Sequence, residues 1–249
     1  MPTDIGLQLY TLREECSRDL PGTLQKVAAM GYPFVELYDN YGLDAPALRK
    51  LLSEHNLKAV SSHVALEKLE ADLPGVIEYY QALDCRFLVC PYVAEERRRT
   101  AADYQNLGKI LTAIGTTCNW AGIQFCYHNH NFEFESFDGQ SGWQLLLESS
   151  DPRFVQAELD LYWVEYSGWD PGALLRQLQG RCPLIHLKDI GPDRSTVEFG
   201  EGLMDWADIL RVARESGVRH FLIEQDATRR PALESVQISI DNYRRLQEK

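Results

Sequence analysis

A supersecondary repeat constrains the fold of this chain more than any other feature: short β-rich apolar segments alternate with amphipathic helical patterns from end to end. Strands are predicted at 5–9, 34–37, 59–63, 87–90, 123–127, 155–159, 184–187 and 221–224. Helices are predicted at 22–30, 47–54, 76–83, 104–120, 142–148, 173–178, 206–216 and 233–246. The pattern therefore indicates eight β-then-α units.

The residues at the predicted helix ends support this division. An aspartate stands one or two residues before a proline, as expected for an N-cap followed by the first helical turn, at Asp19, Asp44, Asp72 and Asp170. Gly31 and Gly217 follow the first and seventh helices, where a glycine commonly ends a helix.

Eight parallel strands in 249 residues predict a (β/α)₈ TIM barrel, with one domain over residues 1–249. An open, doubly wound sheet is the main alternative. That fold favours a glycine-rich phosphate-binding turn after its first strand, whereas the segment TLREECSRD contains no glycine. No linker or low-complexity segment indicates a second domain.

Composition excludes several classes of partner. The net charge is -12, and a nucleic-acid-binding protein normally presents a basic face. No apolar run approaches the roughly 18–20 residues of a membrane span, and MPTDIGLQLYTLREE lacks the pattern of a secretory signal. The six cysteines form no close CxxC pair and indicate reduced thiols. We therefore expect a cytoplasmic protein that binds neither nucleic acid nor membrane.

Polar residues accumulate where the predicted strands end, which is the face of a TIM barrel that carries the active site. They are Gln8, Tyr10, Glu36, His63, Tyr92, His128, His130, Glu158, Asp160, His186, Lys188, Asp189, Glu224 and Asp226. Four of the six histidines lie at this one rim. Imidazole and carboxylate groups together suit Mn, Co, Zn or Fe(II), and ligands on separate strands leave positions open for substrate oxygens. The pattern predicts a divalent-metal site.

Each candidate also has a purely structural interpretation. YHNHNFEFE at 127–135 fits a half-buried strand whose polar residues face water, because alternate residues share one face of a strand. A strand-end histidine can be a hydrogen-bonded core residue, and Asp160 can cap a helix or turn. Glu36 or Glu224 can pair with Arg13, and Lys188 can be solvated. Placement of all these groups at one rim favours the metal site.

Seven segments, in this order, resemble one protein family over essentially the whole chain. They are IGLQLYTLR, GYPFVEL, YHNHNFEF, LDLYW, IHLKD, EFGEGLMDW and LIEQD. The chain resembles the sugar phosphate isomerase/epimerase superfamily, the xylose-isomerase-like barrels. This family includes ketose epimerases, hydroxypyruvate isomerase, inosose and dehydroshikimate dehydratases and endonuclease IV. The resemblance implies a sugar or polyol substrate and leaves a homo-oligomer as an expectation, since the family often forms dimers or tetramers.

The resemblance also implies one divalent metal, held by Glu, Asp, His and Glu on strands five to eight. Asp160 of LDLYW, His186 of IHLKD and Glu224 of LIEQD match the last three ligands. His128 stands where many relatives have the first glutamate, and His130 is the next residue on the same strand face. Mn²⁺ is the favoured ion, with Zn²⁺, Co²⁺, Mg²⁺ and Fe²⁺ as alternatives.

For catalysis we consider Glu224, Lys188 and His130. A partly desolvated lysine near a metal can have a lowered pKa, so Lys188 is a candidate either for the base or for a group that orients a substrate oxygen. Substrate-binding roles are expected of Glu36, His63, Tyr10 and Trp163. The loop 200–202 is either a mobile lid or an ordinary turn.

The leading hypothesis is a metal-dependent isomerase or epimerase that removes a proton next to a metal-bound carbonyl. The alternative is an inosose-dehydratase-like lyase acting on a keto-cyclitol or 3-keto-sugar, because elimination shares that first step. A non-catalytic sugar-binding barrel and a nuclease of the endonuclease IV kind are further alternatives. The acidic charge opposes the nuclease.

Overall fold

A computed structural model describes residues 5–248, which form a closed barrel of eight parallel strands. The strands are Ile5–Gln8, Phe34–Leu37, Lys58–His63, Phe87–Cys90, Gln124–His128, Val155–Asp160, Leu184–Leu187 and His220–Ile223. The first strand pairs with both the second and the eighth, which closes the barrel. The predicted (β/α)₈ fold is confirmed, and each predicted strand overlaps an observed one.

Helices follow the strands around the outside of the barrel. They are α1 Arg13–Arg18, α2 Leu20–Met30, α3 Ala45–Glu54, α4 Leu66–Ala82, α5 Ala101–Trp120, α6 Gly142–Glu148, α7 Leu161–Tyr166, α8 Pro171–Gln177, α9 Trp206–Glu215 and α10 Ala232–Gln247. The sequence did not predict α1 and α7, which are one to two turns long. It predicted only the second half of α4, in which Asp72 interrupts the helical backbone with φ -151° and ψ 63°.

The predicted helix caps are confirmed. The side chain of Asp19 accepts a hydrogen bond from the Gly22 amide, and that of Asp44 accepts one from Ala47. The same contact at Asp72 begins the second half of α4. These acceptors satisfy amides that have no partner within the helix, which fixes where each helix starts.

The barrel interior is apolar below and polar above. Phe87, Val89, Cys126 and Leu184 form a buried cluster inside the lower barrel. The larger apolar core lies between the strands and the surrounding helices. All six cysteines are buried and free, as predicted. Among residues 5–248 no helix combines the length and apolar character that crossing a membrane requires.

The loop after the seventh strand is held by one buried carboxylate. Asp189 accepts hydrogen bonds from the amides of Gly200 and Gly202 at 3.0 Å, and from that of Met204 at 3.2 Å. The Trp206 indole donates a fourth at 2.8 Å. These contacts favour the turn over the mobile lid that the sequence also allowed.

Gly115 on α5 provides a test of the helix-to-barrel packing. A Cβ atom there lies 2.3 Å from the carbonyl oxygen of Phe154. Gly115→Ala should therefore lower the free energy of unfolding by about 1–3 kcal/mol, although alanine favours helix. Urea unfolding is the measurement, with Asn119→Ala on the exposed side of α5 as control. Stabilisation by Gly115→Ala would contradict this packing.

Candidate metal centre

Strand register brings the polar side chains into the barrel together. His128 on the fifth strand pairs with Glu158 on the sixth, and Asp160 pairs with His186 on the seventh. In-register residues of neighbouring parallel strands point to the same side of the sheet. The four side chains therefore enter the upper barrel as two layers.

The deeper layer centres on Glu158, which is fully buried. Its Oε2 lies 2.8 Å from His63 Nε2, 3.1 Å from His128 Nδ1 and 3.4 Å from His186 Nε2. We call His63, His128, Glu158 and His186 the inner set; one ligand atom from each lies within 4.8 Å of the others.

Glu36 lies against the inner set. Its Oε2 accepts a hydrogen bond from Gln8 Nε2 at 2.8 Å and lies 2.7 Å from His186 Nε2 and 3.3 Å from His63 Nε2. The side chain of Glu36 is fully buried. The structure thus places Glu36 and His63, both expected to bind substrate, among the histidines.

The four metal ligands predicted from the sequence also meet. We call His128, Asp160, His186 and Glu224 the outer set; their ligand atoms likewise lie within 4.8 Å of one another. His128 Nε2 lies 3.8 Å from Asp160 Oδ2, and His186 Nδ1 lies 2.7 Å from Glu224 Oε2. The two imidazoles therefore belong to both sets and present opposite ring nitrogens to them.

Lys188 lies inside the outer set and is 1% exposed. Its Nζ is 2.7 Å from Asp160 Oδ2, 2.6 Å from Glu224 Oε2 and 2.9 Å from Asp226 Oδ2. Burial lowers the pKa of Lys188, but these three carboxylates raise it by more, so it lies well above its ordinary value. The sequence allowed a lowered pKa for Lys188, but it did not show how many carboxylates converge on the ammonium group.

The carboxylates of the outer set respond differently to their surroundings. Burial raises the pKa of Asp160 to about 6, against the opposing charges of Lys188 and His186. Burial also acts on Glu224, but Lys188 and His186 outweigh it and hold the pKa well below its usual range. Glu224 is therefore a carboxylate at neutral pH.

The two shared imidazoles also differ. Burial lowers the pKa of His186, but Glu158, Glu224 and Glu36 raise it by more. For His128, burial is the larger effect and holds the pKa well below its usual value. His128 is thus a neutral imidazole, whereas His186 is stabilised as a cation by the carboxylates around it.

The segment YHNHNFEFE is a strand only as far as His128, and 132–134 form a 3₁₀ turn. The Asn129 side chain binds both backbone groups of Asp160, at 3.2 and 3.0 Å. Glu133 is fully buried and accepts hydrogen bonds from the Tyr127 hydroxyl and the His130 amide, each at 2.7 Å. The segment therefore contributes a strand-end histidine and a buried loop anchor.

His130 leaves the strand, but its ring centre remains 5.2 Å from that of His128. Burial lowers the pKa of His130 to about 4, and the charge of Lys188 acts in the same direction. Its Nδ1 is buried and has no hydrogen-bond partner among residues 5–248. His130 is therefore a neutral imidazole with a free polar atom.

The two aromatic candidates lie at strand ends. Tyr10 follows the first strand and is 39% exposed. Trp163, half-buried on α7, has its ring centre 5.9 Å from that of His130. Arg13 donates to the backbone oxygens of Tyr10 and Asp226, each at 3.0 Å. Arg13 therefore does not form the ion pair with Glu36 or Glu224 that the sequence also allowed.

Glu158 is the central residue of the deeper layer, but the sequence predicted it only as a strand-end polar residue and not as a ligand. A signal existed, because Glu158 precedes Asp160 by two residues and so shares its face of the strand. Gln8 was likewise noted only as a strand-end residue, and here it orients Glu36.

Comparison with known proteins shows the same fold family. A sequence model described as xylose isomerase-like TIM barrel matches residues 24–246. Inosose dehydratase from Geobacillus kaustophilus (strain HTA426) is 26% identical over 210 residues, covering 70% of this chain. The match covers 66% of that relative, and 62% of the inosose dehydratase from Mesomycoplasma hyopneumoniae (strain 7448). This chain thus spans less than two thirds of their length.

Two solved structures extend the comparison. A sugar phosphate isomerase/epimerase from Parabacteroides distasonis ATCC 8503 superposes with a TM-score of 0.81 and 26% identity, covering 95% of this chain and 92% of that one. The IOLI protein, solved with a zinc atom, has a TM-score of 0.74 and 16% identity over 97% of each chain. The second match shows similarity of fold alone.

Lys188→Met tests the charge balance of the outer set. Removal of the ammonium leaves buried carboxylates without their partner, so the free energy of unfolding should fall by about 3–5 kcal/mol. Urea unfolding in the presence of a chelator measures this. Lys109→Met, at an exposed position on α5, should change stability by less than about 0.5 kcal/mol. Equal stability of the two variants would contradict the described contacts.

Glu133→Gln tests the loop anchor through the pH dependence of stability. Burial raises the pKa of Glu133 from 4.5 to about 7, and the hydrogen bonds from Tyr127 and His130 oppose this rise. The folded state therefore binds the carboxyl proton of Glu133 more tightly than the unfolded state does. The stability that this protonation contributes is complete below pH 4.5 and is lost as the pH rises through 7.

Relative to wild type, Glu133→Gln should therefore gain stability between pH 4.5 and 7, at about 1.4 kcal/mol per pH unit. Thermal unfolding across this range measures the difference. Glu135→Gln, two residues away and exposed, should track the wild type. A Glu133→Gln profile parallel to wild type would show that this carboxyl group titrates normally.

Proposed function

Because the chain belongs to the xylose isomerase-like TIM barrel family, we propose that it is a metal-dependent enzyme that removes a proton next to the carbonyl of a keto sugar or keto polyol. One observation carries the proposal: two imidazoles and several carboxylates from separate strands converge at the carboxyl end of the barrel, with ligand atoms within 4.8 Å. A mixed set of this kind is suited to a divalent ion and to substrate oxygens.

The donor set fits such an ion. Two buried carboxylate oxygens, Glu36 Oε1 and Glu158 Oε1, have no hydrogen-bond donor among residues 5–248. Buried acceptors of this kind are normally satisfied, so they favour a cation as the missing partner. Mn²⁺ remains the proposed ion, and the zinc in the IOLI protein supports Zn²⁺ as the alternative. When bound, the metal would act as a Lewis acid that polarises a carbonyl and acidifies the adjacent C–H bond.

Glu224 is the proposed base. Lys188 and His186 keep it ionised against the effect of burial, so it can accept a proton at neutral pH. Lys188, with its Nζ 2.6 Å from Glu224 Oε2, is proposed to donate hydrogen bonds to a substrate oxygen and a proton to a departing hydroxide. His130 offers Nδ1 as a neutral acceptor for a substrate hydroxyl.

Of the reactions that can follow proton removal, the elimination of water is the one that the site supports best. Epimerisation of the two-base kind needs a second proton-transfer group across the substrate, and many relatives have a glutamate where this chain has His128. Burial holds the pKa of His128 well below its usual value, which makes it a weak base. The relatives named inosose dehydratase support the same reaction class.

Isomerisation or epimerisation, which the sequence alone favoured, remains the second candidate. The structure from Parabacteroides distasonis, named a sugar phosphate isomerase/epimerase and 26% identical, supports it. Both candidates require the same proton removal. Tyr10 and Trp163 are proposed to contact the substrate from the strand ends in either case.

The test uses protein reconstituted with Mn²⁺ or Zn²⁺ and a panel of keto sugars and inososes in D₂O. Proton removal should give metal-dependent deuterium incorporation next to the carbonyl, and elimination should give a product lighter by one water with enone absorbance. Exchange without water loss would favour the isomerase. If neither metal-dependent exchange nor water loss occurs with any compound of the panel, the proposed enzymatic function is contradicted and a sugar-binding barrel is left.

Glu224→Gln should lower the exchange rate by about 100-fold or more, since general-base catalysis typically contributes 10²–10⁴-fold. The matched control is Glu165→Gln, an exposed position on α7, which should keep the wild-type rate. A Glu224→Gln enzyme as fast as the control would exclude Glu224 as the base.

A further inference from the structure

An open cavity of about 810 Å³ lies at the amino-terminal end of the barrel. It is lined by the first residues of five strands, namely Phe34, Lys58, Phe87, Gln124 and His220. The candidate metal centre lies at the other ends of the strands, so this cavity is a separate feature. Ligand sites typically have volumes of about 300–1,000 Å³. The cavity is therefore large enough for a small organic molecule.

The charge of this cavity is opposite to that of the whole chain. Among the described residues that line it, four are lysine or arginine (Arg49, Lys58, Arg86 and Arg219) and one, Asp84, is a carboxylate. The whole chain has a net charge of -12. A concave surface that gathers charges of one sign attracts ligands of the other sign. The cavity therefore favours an anionic ligand.

Two of these cations are held in place by neutral groups. Arg49 Nη1 donates to the backbone oxygen of Ala82 at 3.2 Å. Arg219 precedes the eighth strand, yet its guanidinium donates to the side-chain oxygen of Gln124 on the fifth, so it extends across the end of the barrel. Within residues 5–248, none of the four cations forms an ion pair with a carboxylate. Their positive charge is thus available to a ligand.

Arg86 is fixed through its backbone between two strands. Its amide donates to the backbone oxygen of Val60 at 3.1 Å, and its backbone oxygen accepts from the Gln124 amide at 2.9 Å. The side chains of Arg86 and Lys58 are exposed in the cavity wall. A guanidinium binds two oxygens of a phosphate at once, and a lysine adds a compact positive charge. This combination suits a phosphate group.

The floor of the cavity is aromatic. The rings of Phe34 and Phe87 are buried, and their centres lie 5.2 and 5.8 Å from that of His220. The guanidinium carbon of Arg219 lies 5.1 Å from the centre of the Phe87 ring, a cation–π contact that orients it. A ligand that carries both a ring and an anionic group would contact the floor and the cationic wall together.

We propose that this cavity binds a small organic phosphate. Lys58, Arg86 and Arg219 contact the phosphate, and the apolar part of the ligand lies against Phe34 and Phe87. A nucleic acid is disfavoured because the rest of the protein is acidic and would repel its backbone. The inference does not depend on the proposed function, because the proposed proton removal takes place at the opposite end of the barrel.

The test is calorimetric titration of the full chain with phenyl phosphate, inorganic phosphate and phenol, with a chelator present to remove divalent ions. Phenyl phosphate should bind about 10-fold more tightly than inorganic phosphate, because its ring covers the aromatic floor. Phenol, which lacks the charge, should bind more weakly than phenyl phosphate. Lys58→Gln and Arg86→Gln should each weaken phenyl phosphate binding by about fivefold or more.

The matched control is Lys109→Gln, which removes one positive charge at an exposed position on α5 and should bind as the wild type does. Equal affinities of this control, Lys58→Gln and Arg86→Gln would overturn the inference. So would phenol that binds as tightly as phenyl phosphate, or a wild type that binds no phenyl phosphate. Tighter binding of a short DNA duplex, weakened by the same variants, would replace the small ligand by a nucleic acid.

Crystals of the wild-type protein soaked with 4-bromophenyl phosphate keep the inference testable if a variant fails to fold. The inference predicts an anomalous bromine peak over the rings of Phe34 and Phe87. Bromine peaks found only outside this cavity would overturn it.

Discussion

The balance of buried charge inside the upper barrel is the constraint on which the rest of this site depends. Glu36, Glu158, Asp160 and Glu224 are all essentially removed from solvent. Lys188 is the buried lysine placed against them, and His186 bridges the two layers. Because buried charges are stable only when paired, the positions of the cations determine which groups can bind a metal and which can transfer protons.

The fold produces this balance through strand register. In-register pairing of the fifth, sixth and seventh strands stacks His128 over Glu158 and Asp160 over His186. The apolar cluster of the lower barrel supports these layers from below. Close to the site, the Asn129 side chain links the end of the fifth strand to the backbone of Asp160 at the end of the sixth.

Much of the fold and part of the site could be predicted from the sequence, because both depend on local patterns. The eight strands, the aspartate caps and the meeting of Asp160, His186 and Glu224 follow from periodicity and from strand ends sharing one rim. Glu133 could not be predicted as a buried anchor, because the alternation of YHNHNFEFE continues beyond the last strand residue.

The raised pKa of Lys188 and the central position of Glu158 could not be predicted either. Both depend on distances across the barrel between residues far apart in sequence. The sequence indicates an ammonium group near the predicted metal site, but not that three carboxylates surround it. The sequence also indicates His63 at the end of the third strand, but not its contact with Glu158 on the sixth strand.

Anomalous diffraction from crystals loaded with Zn²⁺ or Mn²⁺ tests the central claim most directly, because it locates the ion among its ligands. The account predicts one anomalous peak within ligand distance of His128, Asp160, His186 and Glu224. Loaded crystals with no anomalous peak near His128 and His186 would contradict it.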